Sequence, residues 1–305
     1  MSYRLETQEP LAVGIKRIAR EQIDQALEQL TEAPEGRDET VHDARKRLKK
    51  IRAVLRLVRD EIGDEVYQRE NTCYRDAGRQ LAGIRDSFVL IKTLDDVAER
   101  YADDLDNSKA YKELRKKLAA EHEAIKRQRL EHDQKMAEVA ATLKEARQRV
   151  ETWPIAHNDF SGVSGGLKRV YKRGYRALTQ AYDNPTPENF HEWRKRVKYL
   201  WYHIRILENV WADPMVELGN QLDDLADYLG DYHDLAGLSH MLINRPELID
   251  DKDREDLVKL LNKRQAKLLI QARQLGERIY VEQPKVFVQR IGSYWEVWQA
   301  DTVLK

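Results

Sequence analysis

Residues 41–58 read VHDARKRLKKIRAVLRLV, and their apolar side chains recur every three or four positions. This spacing places the apolar side chains on one face of an α-helix. They are Val41, Ala44, Leu48, Ile51, Leu55 and Val58. Long stretches elsewhere consist mainly of Leu, Ala, Glu, Lys, Arg and Gln, which favour helix, and none shows the sustained alternation that is typical of strands. We therefore predict an all-α protein whose helices pack as bundles.

The same pattern occurs a second time in the chain. Residues 190–207 read FHEWRKRVKYLWYHIRIL and align with residues 41–58 without a gap. Six of the eighteen aligned pairs are identical, and all six are cationic or histidine: His42/His191, Arg45/Arg194, Lys46/Lys195, Arg47/Arg196, Lys49/Lys198 and Arg56/Arg205. The core positions stay apolar but change identity. The matched feature is therefore a charge pattern rather than a packing pattern.

Weaker matches extend the repeat in both directions: residues 14–18 with residues 166–170, and residues 81–86 with residues 229–234. The extended repeat predicts one domain over residues 1–305, composed of two helical halves at residues 10–152 and 160–303. Two such copies would sit about a pseudo-twofold axis. Their matched faces could then line one basic central cleft.

A helical wheel centred on His42 separates charge from core. At about 100° per residue, the cations that fall within about 60° of His42 are Arg45, Lys46, Lys49 and Arg56. The apolar residues lie opposite, and Arg47 lies nearer the flank. The second copy presents the same stripe with His191, Arg194, Lys195, Lys198 and Arg205, and with Arg196 on the flank. From His42 to Arg56 the stripe extends about 21 Å.

Both stripes begin near an expected helix start. Thr40 and Asp43 have the spacing of a capping box, and Thr186-Pro187 is typical of an N-cap followed by proline in the first turn. The two histidines would then lie in the first two turns of their helices. The helix dipole favours an anion there.

The neutral net charge hides a strong segregation of charge. The chain has 53 basic and 53 acidic residues, yet the windows 14–20, 41–59, 165–176 and 190–205 together hold 21 basic and only 2 acidic residues. Like charges three or four residues apart repel along a helix, so an anion or facing carboxylates must offset the stripe. Two acidic runs are candidates for those carboxylates: Asp95-Asp96-Glu99 and Asp103-Asp104-Asp106.

Composition excludes several classes of protein. The single cysteine, Cys73, excludes an internal disulfide framework and a cysteine-only metal cluster. The sequence has no run of 18 apolar residues, and its first ten residues, MSYRLETQEP, have no apolar signal segment. We therefore expect a cytoplasmic protein with no membrane partner.

The pattern H-x-x-R-K-x-x-K at residues 42–49 and 191–198 resembles the CHAD family (conserved histidine α-helical domain). The segment Leu81 to Asp86 also resembles a motif of that family, whereas its mate departs from the motif at His233, where Arg or Asn is common. The resemblance implies two four-helix halves related by pseudo-symmetry. It also implies a basic central cleft that binds inorganic polyphosphate, without known catalysis and without a cofactor. Such a protein could be targeted to polyphosphate granules.

The resemblance also implies which residues contact phosphate. Carried over by motif, they are His42, Arg45, Lys46, Lys49, Arg56, His191, Arg194, Lys195, Lys198 and Arg205. Four residues of the preceding helices are further candidates: Lys16, Arg20, Lys168 and Lys172. The chemistry suits a chain with about one charge per phosphate and no bases, because Arg offers paired N–H donors and Lys a point charge. Histidine can donate when it is protonated, and a nearby polyanion should raise its pKa.

Nucleic-acid binding is the first alternative. Clustered Lys and Arg would bind a phosphodiester backbone equally well, so nucleic acid is at least a competitor. Trp193, Tyr199, Trp201 and Tyr202 interleave with the second stripe and could stack on bases, although Trp193 lies on the predicted core face. We find no RNA- or DNA-reading motif.

A helical, metal-dependent phosphohydrolase is the second alternative. His-Asp dipeptides occur at residues 42–43, 132–133 and 233–234, and such residues can hold a metal. Lysines surround the dipeptide at residues 42–43, however, and its mate in the repeat is His-Glu. The sequence has no P-loop, Rossmann or Ser/His/Asp signature. We therefore expect neither an enzyme nor a metal site.

Overall fold

The computed structural model of the chain describes residues 3–7, 9–31, 37–81, 85–102, 109–126 and 129–303. These residues form helices and no strand, which confirms the all-α prediction. The α-helices are α1 (Leu11–Thr31), α2 (Arg37–Leu57), α3 (Arg59–Gln80), α4 (Arg85–Arg100), α5 (Lys109–Lys126), α6 (Arg129–Arg149), α7 (Ser161–Asp183), α8 (Pro187–Ile206), α9 (Ala212–Asn244), α10 (Asp251–Ile279) and α11 (Pro284–Val303). Short 3₁₀ turns lie at Val150–Thr152, Glu208–Val210 and Pro246–Leu248.

The helix starts agree with the sequence in one copy and differ in the other. The side chain of Thr186 accepts a hydrogen bond from the Asn189 N–H at 3.2 Å, and Pro187 follows in the first turn, as predicted for α8. The predicted cap at Thr40 was wrong, because α2 begins at Arg37 and Thr40 lies inside the helix. Residues 37–39 contain neither proline nor glycine, so the helix extends past Thr40 as far as Arg37, whereas Pro34 and Gly36 lie earlier in the sequence.

The predicted core face of α2 is buried. Val41 is 4% exposed, and the other five predicted apolar positions are at most 1% exposed. On α8, Trp193 is fully buried, as its place on the wheel predicted. The buried apolar residues form one cluster that extends from Tyr3 near the start of the chain to Trp295 in α11. The helices on both sides of the repeat boundary therefore share a continuous core.

Helices α2 and α8, which carry the two copies of the repeated pattern, contact each other directly. Helix α2 packs between α1 and α3 along the chain and also contacts α7, whereas α8 packs between α7 and α9. At the contact between α2 and α8, the imidazole Nε2 of fully buried His203 lies 3.0 Å from the carbonyl oxygen of Ala53. Burial lowers the pKa of His203 to about 3, so the ring is neutral and donates its Nε2–H.

Close approach of α7 to α2 depends on small residues. A side chain at Gly166 would overlap the carbonyl groups of Leu57 and Arg56, and one at Gly165 would overlap the carboxylate of Asp60. The absence of a Cβ at these two positions lets α7 lie against the junction between α2 and α3. That packing fixes the position of the next two turns of α7, which carry Arg169 and Arg173.

Candidate functional site

Cations from α2 and α8 gather around Lys50, which is partly buried. Burial lowers the pKa of Lys50 to about 8, with further lowering by the neighbouring charges of Arg47, Arg205 and Lys46. Arg205 belongs to α8 and the others to α2, so both repeats contribute. We call this group the Lys50 cluster: Lys46, Arg47, Lys50 and Arg205.

Two tyrosines lie among the cations of the Lys50 cluster. The ammonium of Lys50 lies 4.9 Å from the ring centre of Tyr3, whose hydroxyl donates to the Lys50 carbonyl at 3.0 Å. Burial raises the pKa of Tyr202 to about 12, against the opposing influence of Arg194, Arg205 and Arg47. The Tyr3 ring thus contacts the charged end of Lys50 in a cation–π interaction.

A second basic group lines a pocket where α2, α3, α7 and α8 meet. Five arginines surround a space of about 290 Å³ that is open to solvent: Arg56, Arg59, Arg169, Arg173 and Arg196. Tyr67, Val170 and Tyr199 complete the lining, and Tyr67 and Val170 are buried. The guanidinium of Arg56 lies 4.0 Å from the ring centre of Tyr199, and that of Arg59 lies 4.5 Å from Tyr67. We call this site the arginine pocket.

Carboxylates at the rim balance only part of this charge. Arg59 pairs with Asp64 at 2.9 Å, Arg169 pairs with Asp60, and Arg196 pairs with Glu192. Asp64 is 79% exposed and Asp60 is 53% exposed, so both pairs are open to water.

Two arginines of the pocket, Arg56 and Arg173, pair with no carboxylate in the part of the chain that the structure describes. Arg56 instead donates hydrogen bonds to the Arg52 carbonyl and to Asn71. The surroundings of Arg173 are mainly cationic. Burial, together with the charges of Arg196 and Arg169, lowers its pKa. The pocket therefore holds an excess of positive charge that is accessible from solvent, which favours an anion there.

Much of the predicted stripe on α8 lies along α9. Arg194 packs on Gly230 and donates to the Ala226 carbonyl at 3.3 Å, and Lys198 pairs with Asp223 at 2.9 Å. The ammonium of Lys198 also lies 4.2 Å from the ring centre of Trp201. Lys195 pairs with Glu192 on its own helix, and Arg205 lies 3.6 Å from Glu208.

His191 stacks on a second histidine. Its ring centre lies 4.5 Å from that of His233, and His233 lies 3.2 Å from Asp234. Burial lowers the pKa of His191 to about 4, with further lowering by His233, Lys195 and Arg194. The Nδ1 atom of His191 is buried without a hydrogen-bond partner. His191 is therefore neutral near pH 7 in the absence of an anion.

The remaining predicted residues occupy different surroundings. On α2, His42 and Arg45 are partly buried, Lys49 is exposed, and Lys46 lies 3.7 Å from Asp43. On α1, Lys16 donates to the Glu151 carbonyl at 2.8 Å and Arg20 pairs with the Glu151 carboxylate at 2.6 Å. Lys168 and Lys172 of α7 are exposed and are not among the pocket-lining residues.

The predicted carboxylate partners were wrong where they can be examined. Asp95 pairs with Arg115 of α5 and accepts a hydrogen bond from Tyr111 rather than facing a stripe. The run at residues 103–106 lies outside the described residues. Four acidic residues pair with the stripe cations Lys46, Lys195, Lys198 and Arg205. Asp43, Glu192 and Glu208 are close neighbours of their partners in sequence, and Asp223 lies on α9, which packs alongside α8.

The sequence reasoning missed Lys50 and three members of the arginine pocket, Arg59, Arg169 and Arg173. Lys50, Arg59 and Arg173 differ from their mates in the repeat, so a search for matched pairs passed over them, and Arg169 matches Arg17 only in the weaker upstream extension. All four nevertheless fall within the windows of concentrated positive charge. Charge density along the chain was therefore the more informative signal for these positions.

Two observations concern the alternative functions. Among the side chains that the structure describes, no three His, Cys, Asp or Glu residues come together as a metal-binding group. Tyr202 and Trp193 are buried, and the ring of Tyr199 is covered by the Arg56 guanidinium, so these three rings are not available for base stacking as they stand.

Comparison with known proteins places the chain in a family. No curated protein matches its sequence. No helix among the described residues has both the length and the apolar character needed to cross a membrane. The family model of the CHAD domain matches residues 17–243, which is most of the chain and includes both copies of the repeated pattern. The chain therefore belongs to the CHAD domain family.

Proposed function

We propose that this protein binds inorganic polyphosphate on the basic surface formed where α2 and α8 meet, without catalysing its breakdown. The observation that carries the proposal is that cations lie close to one another at two places along the contact between α2 and α8, around Lys50 and around Arg173. Lys50 and Arg173 both have a pKa lowered by burial and by neighbouring cations. Such charges destabilise the free protein, and a bound polyanion relieves the repulsion.

The kinds of side chain favour a bare phosphate chain over nucleic acid. A phosphate chain needs rows of cations, whereas a single-stranded nucleic acid gains much of its binding energy from bases stacked on exposed rings. Here the rings near the stripes support cations instead. Lys198 lies over Trp201, and Arg56 lies over Tyr199.

The same proposal covers the biological setting. We propose a non-enzymatic protein of the cytoplasm that associates with polyphosphate granules through this surface. Membership of the CHAD family and the two basic groups support the proposal. No metal or cofactor is part of it.

A competition titration tests the proposal. Labelled long-chain polyphosphate is bound to the whole protein at near-physiological salt and is then challenged with single-stranded RNA and with duplex DNA at equal phosphate concentration. We expect polyphosphate to resist displacement. Equal or better competition by either nucleic acid would contradict the proposal and would identify a general polyanion surface.

A further inference from the structure

The arginine pocket and the Lys50 cluster differ in shape. The cations of the Lys50 cluster lie along two helices, as suits an extended ligand. The arginine pocket draws its five guanidinium groups from four helices around one space of about 290 Å³, with buried Tyr67 and Val170 among its lining. Guanidinium groups that converge from four helices on one small space suit a compact anion rather than a long one.

The end of a linear polyphosphate is such a compact anion. A terminal phosphate resembles a phosphate monoester and carries about −1.5 to −2 charges near pH 7. It presents three non-bridging oxygens on one side, whereas an internal phosphate carries about one charge and must connect to a neighbour on each side. Guanidinium groups bind such oxygens through paired N–H donors. Convergent arginines therefore match the chain end better than the chain interior.

We propose that the arginine pocket binds the terminal phosphate of linear polyphosphate, so that the protein holds the chain by its end. This inference rests on the proposed function, because it assigns one part of the same ligand to one part of the surface. Arg56 and Arg173 are the pocket arginines that no described carboxylate pairs with. Arg56 already donates to the Arg52 carbonyl and to Asn71, so the cation we assign first to the ligand is Arg173. The other four arginines approach from α2, α3, α7 and α8.

The rim carboxylates do not prevent this binding. Ion pairs that are open to water contribute little to stability, so Arg59 and Arg169 can exchange the carboxylates of Asp64 and Asp60 for phosphate. Arg56 stays in place meanwhile, because Tyr199 supports its guanidinium and Asn71 accepts a hydrogen bond from it at 3.3 Å. The pocket is thus largely formed before the ligand arrives.

Stoichiometry as a function of chain length tests the inference. The whole protein is titrated with linear polyphosphates of several defined lengths, and the number of protein molecules per chain is measured by calorimetry and by sedimentation. End binding predicts at most two protein molecules per chain at every length. It also predicts that chains with both ends blocked by amine ligation lose most of their affinity, although their charge is nearly unchanged.

The outcomes separate this inference from the proposed function. If the number of protein molecules per chain rises with length and blocked chains bind as well as free ones, the end-binding inference is overturned while polyphosphate binding stands. If no chain binds at near-physiological salt, the proposed function fails together with the inference. If short and long chains both take up two protein molecules and blocking abolishes binding, both are supported.

A pair of variants removes one cation in each of two places. Arg173→Gln should weaken binding of free-ended chains about tenfold and should reduce the preference for free over blocked ends. Arg273→Gln is the matched control, because Arg273 is exposed on α10 and pairs with Glu277 of the same helix. Equal loss in the two variants would show that only net charge matters, and it would overturn the assignment of the pocket.

Discussion

The guanidinium carbon of Arg56 on α2 lies 4.0 Å from the ring centre of Tyr199 on α8. In the repeat, the mate of Arg56 is Arg205 and the mate of Tyr199 is Lys50. The repeat therefore relates the Arg56–Tyr199 pair to a pair of cations, Arg205 and Lys50, and the charge of Arg205 contributes to lowering the pKa of Lys50. At one site a cation packs against an aromatic ring, and at the related site a cation lies near a second cation. The two copies of the repeat thus create two different sites.

Replacing Lys50 by methionine should stabilise the protein and weaken ligand binding. The native pKa of about 8 lies below the ordinary value of 10.5, so protonated Lys50 destabilises the native state below about pH 8. This destabilisation diminishes as the pH rises from 8 to 10.5. We expect Lys50→Met to raise the free energy of unfolding, measured with urea, by roughly 1–2 kcal/mol at pH 7 and by almost nothing at pH 10.5.

The control for Lys50 is Lys46→Met, because the Lys46 side chain is 54% exposed and its removal should change stability little. Calorimetry in buffers of different ionisation enthalpy should also show proton uptake when polyphosphate binds near pH 8–9. A Lys50→Met protein that is no more stable than the original at pH 7 would argue against a strained ammonium at this position.

Charge reversal on the two stripes should nearly abolish binding. Lys46 and Lys195 are 54% and 44% exposed, and each pairs with an acidic residue of its own helix. The double change Lys46→Glu and Lys195→Glu should therefore leave circular dichroism intact while reducing affinity by roughly a hundredfold. Unchanged affinity would remove the stripe from the mechanism. The neutral variant Lys259→Gln on α10 is the control.

Binding should weaken steeply as salt rises. For a single-stranded polyanion, a plot of the logarithm of the binding constant against the logarithm of the salt concentration has a slope of about −0.7 for each neutralised phosphate. Six phosphate contacts would therefore give a slope of about −4. Lys195→Gln should make the slope shallower by about 0.7. A binding constant that does not respond to salt would rule out a mode based on phosphate contacts.

The buried imidazole of His203 should limit stability in acid. Its native pKa of about 3 lies below the ordinary value of 6.5, so the unfolded chain takes up the proton first as the pH falls. We expect a loss of about 4 kcal/mol between pH 6.5 and pH 3 from this group. His203→Gln, which can still donate to Ala53, should flatten that part of the pH profile. The same change at exposed His240 should leave the profile as it was.

Substitution at Gly166 should damage both packing and binding. A methyl group there would overlap the carbonyl of Leu57, which is backbone and cannot move aside alone. Gly166→Ala should lower the free energy of unfolding by about 2–4 kcal/mol and should displace Arg169 and Arg173 from the pocket. Gly237→Ala is the matched control: a Cβ at that helical position meets nothing within 4 Å, so it should stabilise α9 by about 0.5–1 kcal/mol. Thermal unfolding of the two variants distinguishes these outcomes.

The sequence by itself determined the all-α class, the buried face of α2 and the start of α8. These features follow from local rules. The spacing of apolar residues defines the buried face of a helix, and Thr186 accepts a hydrogen bond from a free N–H group in the first turn, which Pro187 begins. It also determined that two helices carry matched cations, and it indicated the family. The misplaced start of α2 shows the limit of local rules, because a capping pattern has no effect when the preceding residues can extend the helix.

The tertiary structure alone decided which cations meet. Arg59 lies at the start of α3, whereas Arg169 and Arg173 lie on successive turns of α7, far away in sequence. They converge because Gly165 and Gly166 let α7 lie against the junction of α2 and α3. The structure also decided that Arg194 and Lys198 lie along α9, whereas Lys16 and Arg20 bind Glu151. The physical reason is that a helical wheel gives the direction of a side chain around its own axis, whereas the depth and angle at which helices pack decide what that side chain meets.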